Sequence, residues 1–101
     1  MIEHALIEIP AAHPAFPGHF PGMPILPGVV LLDEALHAIA AARGADVPRY
    51  RIGSAKFLGV VRPGEALELT HEALDNDSIR FTVSSAGRAV ATGVLLPAAR
   101  I

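Results

Sequence analysis

The chain has 101 residues, a formal net charge of −2 and no cysteine; 51% of its residues are hydrophobic and 18% are charged. That length makes one domain, residues 1–101, with a core thin enough that excess apolar surface favours an oligomer. Mild acidity argues against nucleic-acid binding through phosphate contacts. The missing cysteines exclude disulfides, thiolate catalysis, iron–sulfur clusters and Cys-ligated zinc.

Ile2 to Ile9 reads as a short strand. Glu3, His4 and Glu8 interrupt it, so no secretory leader is expected there; a cytoplasmic setting is the expectation, which the lack of cysteine fits. Six of the nine prolines then fall between Pro10 and Pro27, with Gly18, Gly22 and Gly28. Proline fixes φ and disfavours helix in the residue before it, which predicts a stiff, extended loop. Phe16, Phe20, Met23, Ile25 and Leu26 make that loop apolar enough to pack.

Gly28 to Arg43 is predicted as a helix, with Gly44 as its stop. Val29, Val30, Leu31, Leu32, Ala35, Leu36, Ile39 and Ala40 make it apolar on most sides. A surface helix is apolar along one stripe, so this one is expected to be wrapped by the rest of the domain. The apolar region Ile25 to Ala42 is no membrane span, because it carries Pro27, Asp33, Glu34 and His37.

Four strands follow: Arg49–Leu58, Glu65–Leu74, Ser78–Ser85 and Arg88–Leu96. Arg62-Pro63-Gly64, Asp75-Asn76-Asp77 and Ala86-Gly87 separate them. In the last strand Ala89, Ala91 and Gly93 share a face that invites close approach of a helix or a partner backbone. The fold class is therefore α+β, an antiparallel sheet around one long central helix.

Chemistry concentrates between Gly18 and Asp33. His19, an imidazole able to exchange protons near neutral pH, sits in the stiff loop and suits a general base. Gly28 opens the helix, where unsatisfied N–H groups meet the positive end of the dipole. Without a side chain it lets a carbonyl come close, which makes an oxyanion site. Asp33 is surrounded in sequence by Val29, Leu31, Leu32 and Leu36. Burial there would keep its carboxyl protonated and ready to act as a general acid. Glu34 is a rival, but one residue rotates about 100° around a helix, so the two cannot serve one site. A base, an acid and an oxyanion donor suit loss of a β-hydroxyl after removal of a proton α to a thioester carbonyl.

The run Gly18-His19-Phe20-Pro21-Gly22-Met23-Pro24-Ile25-Leu26-Pro27-Gly28 resembles the β-hydroxyacyl-acyl-carrier-protein dehydratases of the FabA/FabZ type, which have the hot-dog fold. His19 and Asp33 stand at that family's spacing, and Gly28 matches its carbonyl-polarising glycine. Ser54-Ala55-Lys56-Phe57, Arg62-Pro63-Gly64-Glu65 and Val90-Ala91-Thr92-Gly93 extend the likeness over most of the chain. The resemblance implies dehydration of 3-hydroxyacyl thioesters to trans-2-enoyl thioesters in fatty acid or polyene-type biosynthesis. It implies His19 and Asp33 as the catalytic pair, and Gly28, His37 and Phe57 as substrate-binding residues. It further implies acyl carrier protein as partner and a homodimer or higher oligomer, with His19 and Asp33 from different chains. No metal, cofactor, nucleic acid or membrane is expected.

The chain departs from the family in three respects, one being that it is shorter than typical members. Asp33 is the FabA-type acid where FabZ-type enzymes carry Glu. His37 stands where both types have Gln. Leu32-Asp33-Glu34-Ala35-Leu36-His37 looks more like the small dehydratases of aryl-polyene pathways. A hot-dog thioesterase and a non-catalytic acyl-binding module are the alternative functions. Arg43, Arg49, Arg51, Lys56 and Arg62 are candidates for a basic rim facing an acidic carrier. His4, His13 and His71 have no metal-ligand spacing and read as structural or exposed.

Overall fold

A computed structural model describes residues 2–9, 26–44 and 50–97. The elements are β1 (Glu3–Ile7), α1 (Gly28–Arg43), β2 (Tyr50–Phe57), β3 (Leu67–Ala73), β4 (Ile79–Ser85) and β5 (Arg88–Pro97). Each lies where hydrophobic patterning puts it. The proline-rich loop falls outside the described residues up to position 25, and so do His13, His19 and Arg49.

The strands form one antiparallel sheet in the order β1-β3-β4-β5-β2. Turn chemistry sets the register of its centre. Ala86 (φ 50°) and Gly87 (φ 78°) form the two-residue link from β4 to β5. Two positive φ values match the right-handed twist of paired strands. Between β3 and β4, Asp77 takes the positive φ, and Leu74 N–H bonds to the Ser78 carbonyl at 2.8 Å. Alternation along the strands then sends Leu67, Leu69, Ile79, Phe81, Val83, Ala91 and Leu95 to one buried face, where Leu31, Ala35 and Ile39 of α1 join them.

Within the chain, Gly93 receives an aromatic ring and not the helix that its sequence context suggests. A β-carbon there would lie 2.7 Å from the Phe81 ring and 2.6 Å from the Ser54 carbonyl oxygen. Phe81 stands directly across the ladder, and its ring fills the space the glycine leaves.

The helix starts and stops where expected. Gly44 ends it in the left-handed conformation (φ 65°), its N–H directed at the Ala40 and Ala41 carbonyls. α1 is not wrapped on all sides, however. Residues 31, 35 and 39 are buried, 30, 34 and 38 half-buried, and Val29, Asp33 and His37 exposed. The five-stranded sheet has one face to offer, so it covers one stripe of the helix. Hydrophobicity averaged over α1 hides the fact that Asp33 and His37 share the opposite stripe. At the edge of the sheet, β2 is exposed along nearly its whole length.

Candidate active site

Backbone geometry prepares the start of α1. Pro27 is its N-cap, with φ −59° and ψ 142°, offers no side-chain cap, and no acidic residue stands in the first turn. The Pro27 carbonyl accepts from Val30 N–H at 3.0 Å and from Leu31 N–H at 3.2 Å. The amides of Gly28 and Val29 precede these and carry the positive end of the helix dipole. A second bond fixes how the chain enters: Leu26 N–H donates to the Val61 carbonyl at 2.8 Å.

Phe57, the last residue of β2, pairs across the ladder with Ala91. Its ring lies over Gly28, so that a β-carbon on Gly28 would sit 2.7 Å from two ring carbons. The contact requires glycine at the helix start. Phe57 stays 49% exposed, beside Val29 at 73% and Leu58 at 49%. Two residues named from sequence as substrate-binding, Gly28 and Phe57, thus meet at one place.

Asp33 and His37 form the second pair, one turn apart on the exposed stripe. His37 Nδ1 is 2.7 Å from the Asp33 main-chain carbonyl oxygen. A carbonyl only accepts, so Nδ1 carries the hydrogen and donates it. The same nitrogen is 3.5 Å from Asp33 Oδ1. The Asp33 side chain is 63% exposed. Its expected burial among apolar neighbours is therefore not supplied by its own chain: Leu31 faces the sheet while Asp33 faces away from it. His19, the candidate base, lies outside the described residues.

Sequence reasoning passed over a polar cluster at the far end of α1. His71 is 2% exposed. Its Nδ1 accepts from Arg43 Nε at 3.2 Å, which places the ring proton on Nε2. Glu3 Oε2 is 3.6 Å from His71 Nδ1 and 3.8 Å from Arg43 Nη2. Nε2 is buried with no partner among the described residues. Burial holds the His71 imidazole below its usual range, the Arg43 guanidinium pushes the same way, and Glu3 opposes them. The signal was its parity with Leu67 and Leu69, which sends it to the core face. Arg43 is thereby engaged here and leaves the proposed basic rim, whereas Arg51, Lys56 and Arg62 are exposed. Among the described residues no group of three or more His, Asp or Glu is placed to hold a metal ion. No helix among them is long and apolar enough to cross a membrane.

The family model for ApeI-like proteins, described as ApeI dehydratase, matches residues 3–94. The chain belongs to the ApeI-like dehydratase family. It is 40% identical over 85 residues to the 3-hydroxyacyl-[acyl-carrier-protein] dehydratase FabZ of Ligilactobacillus salivarius, covering 76% of this chain and 57% of that protein. Over 96 residues it is 35% identical to the FabZ of Syntrophotalea carbinolica, covering 87% and 64%. Across the first matches the chain spans about half the length of the curated relatives. Its fold is similar to that in the dehydratase heterocomplex ApeI:P from Xenorhabdus doucetiae, with a TM-score of 0.76, 22% identity, and coverage of 97% of this chain and 88% of that one. This establishes the α+β hot-dog fold anticipated from the sequence.

Proposed function

We propose that this ApeI-like protein dehydrates 3-hydroxyacyl thioesters, carried on acyl carrier protein, to trans-2-enoyl thioesters in fatty acid or polyene-type biosynthesis in the cytoplasm. The observation that carries the reading is the helix start: an uncapped Gly28 amide under the Phe57 ring, with the Asp33 carboxyl further along the same helix. The substrate carbonyl oxygen accepts from Gly28 N–H, which stabilises negative charge as the α-proton leaves. His19 takes that proton. Asp33 donates its own to the 3-hydroxyl, which departs as water as the Cα–Cβ double bond forms. One proton has then moved to the imidazole and one from the carboxyl, so the site resets by returning a proton to Asp33.

Asp33 needs a less aqueous environment than one chain gives it. A second copy would supply it, which is supported by large apolar side chains left exposed, Val29, Ile52, Phe57, Leu58 and Val60 among them, and by β2 as an open sheet edge. In the homodimer, His19 of one protomer faces Asp33 of its partner, while Phe57 and His37 line the acyl site. Exposed Arg51, Lys56 and Arg62 offer positive charge to an acidic carrier.

The test is turnover of a 3-hydroxyacyl carrier substrate by the wild type, His19→Ala and Asp33→Asn. Loss of at least about 100-fold in both variants is expected. Near-wild-type turnover in both refutes the assignment. Release of free thiol without an enoyl product identifies a thioesterase instead, and binding of the acyl carrier with no turnover at any chain length identifies a non-catalytic module.

A further inference from the structure

The connection from β2 to β3, residues 58–66, is held near both ends by one side chain of β5. A β-carbon on Gly59 would lie 2.6 Å from Arg88 Nη1, so the guanidinium packs on bare backbone there. The other arm of the fork, Nη2, donates to Glu65 Oε1 at 3.1 Å. Glu65 gathers two more donors: Ser85 Oγ at 3.1 Å from Oε1, and the Arg62 N–H at Oε2. The Arg62 bond, opposed by burial and helped by Ser85 and Arg88, holds the Glu65 carboxyl below the usual carboxylate range, so it stays charged at neutral pH. Neither Arg88 nor Glu65 has a place in the reaction derived above.

Between those ends stands the buried Val61, whose carbonyl accepts from Leu26 N–H at 2.8 Å. Only Pro27 lies between Leu26 and Gly28, and that link is stiff. The proline ring fixes its own φ, here −59°, and restricts the backbone of Leu26 before it. A shift of the Val61 carbonyl is therefore passed on to the start of α1. We propose that Arg88 and Glu65 are positioning residues: by clamping residues 59–65 they hold the Val61 carbonyl, and through Leu26 and Pro27 the Gly28 amide, where it meets the substrate carbonyl. The inference rests on the dehydratase reading and extends it to two residues outside the site.

Steady-state dehydration by the full chain is measured for the wild type, Arg88→Ala, Glu65→Gln, the double variant and Arg80→Ala. Glu65→Gln leaves one acceptor oxygen for three donors. Arg80→Ala is the control: it breaks an ion pair of the same sheet, Arg80 Nη1 to Glu72 Oε1 at 3.5 Å, outside the connection. Misplacement by about 1 Å costs about 100-fold. A loosened clamp moves the amide by less, so kcat should fall about tenfold in Arg88→Ala and in Glu65→Gln, with KM changed far less because the oxyanion bond matters most in the transition state. The double variant should be no worse than the poorer single one, since the pair acts as a unit. Arg80→Ala should keep both constants. Arg88 is half-exposed, and such ion pairs add little stability, so Tm should fall only slightly in each variant.

Amide hydrogen exchange at Leu26 reads the anchor without substrate. Relative to the amides of β4, this N–H should exchange about tenfold faster in Arg88→Ala and at the wild-type rate in Arg80→Ala. Unchanged exchange at Leu26 overturns the proposal. So does an active wild type whose Arg88→Ala variant keeps its kcat, or a double variant in which the two losses multiply. A wild type that does not dehydrate at all refutes the functional reading, and faster Leu26 exchange in Arg88→Ala would then still establish the clamp.

Discussion

Gly28→Ala separates the chemistry of the helix start from its packing. The added methyl would lie 2.7, 2.7 and 3.1 Å from three Phe57 ring carbons. Carbon atoms settle at about 3.5–4.0 Å, so the ring must retreat by about 1 Å. In a rigid core such crowding costs about 1–3 kcal/mol. Phe57 is 49% exposed and can swing toward solvent, which puts the cost near the lower end, about 1 kcal/mol. Alanine's better helix propensity offsets up to about 1 kcal/mol of that. The unfolding midpoint should barely move. Activity should behave differently, because the methyl and the ring it displaces crowd the surroundings of the Gly28 amide, to which the substrate carbonyl is proposed to bond. A displacement of about 1 Å at a reacting centre costs about 100-fold, and that is the expected fall in kcat/KM. The assay is enoyl thioester formation from a 3-hydroxyacyl carrier, run in parallel on Phe57→Ala and on the double variant. Removing the ring relieves the crowding and leaves the methyl in place, so Gly28→Ala/Phe57→Ala should be no more active than Gly28→Ala. Turnover by Gly28→Ala within a few-fold of wild type would show that the Gly28 amide is no oxyanion donor.

Two further predictions concern stability. Burial holds His71 neutral in the folded chain, with its proton affinity lowered, while the unfolded chain protonates near pH 6.5. Below that value the unfolded state binds more protons, so the His71 contribution is complete above about pH 6.5 and declines as pH falls toward the lower folded value. Between pH 7 and pH 5 the wild type should lose stability more steeply than His71→Leu, by up to about 1.4 kcal/mol per pH unit; equal slopes in denaturant titrations refute the assignment. At the β4–β5 turn, Ala86 holds φ 50°, a conformation that costs a residue with a β-carbon about 1–2 kcal/mol and that Asn adopts more readily. Ala86→Asn should raise Tm by about 3–6 °C at fixed protein concentration, and an unchanged or lower Tm counts against a strained turn.

Sequence carried the fold further than it carried the site. Helix bounds were legible because Gly28 and Gly44 punctuate an apolar run, and strand order was constrained by two tight turns. The irregularity between Ile52 and Ser54 in β2 left no comparable trace. Around Gly53 the alternation slips, and the side chain a β-carbon there would meet is Leu96 of β5. Exposure of Asp33 was illegible for a different reason. Its sequence neighbours are apolar, yet neighbours in a helix point in different directions, and burial depends on which stripe the sheet covers. The His71–Arg43–Glu3 cluster joins three separate elements, and pairwise spacing along the chain does not reveal such a meeting. The His19–Gly28–Asp33 spacing, by contrast, is local enough to be read directly.

The division of α1 into stripes has an evolutionary consequence. Leu31, Ala35 and Ile39 answer to the sheet, and replacing them perturbs the interior. Among the described residues, Asp33 and His37 touch each other but take no part in that core. An acid can become its longer homologue, or an amide an imidazole, without a single interior contact being renegotiated. One scaffold can thus try new reactions at almost no structural risk.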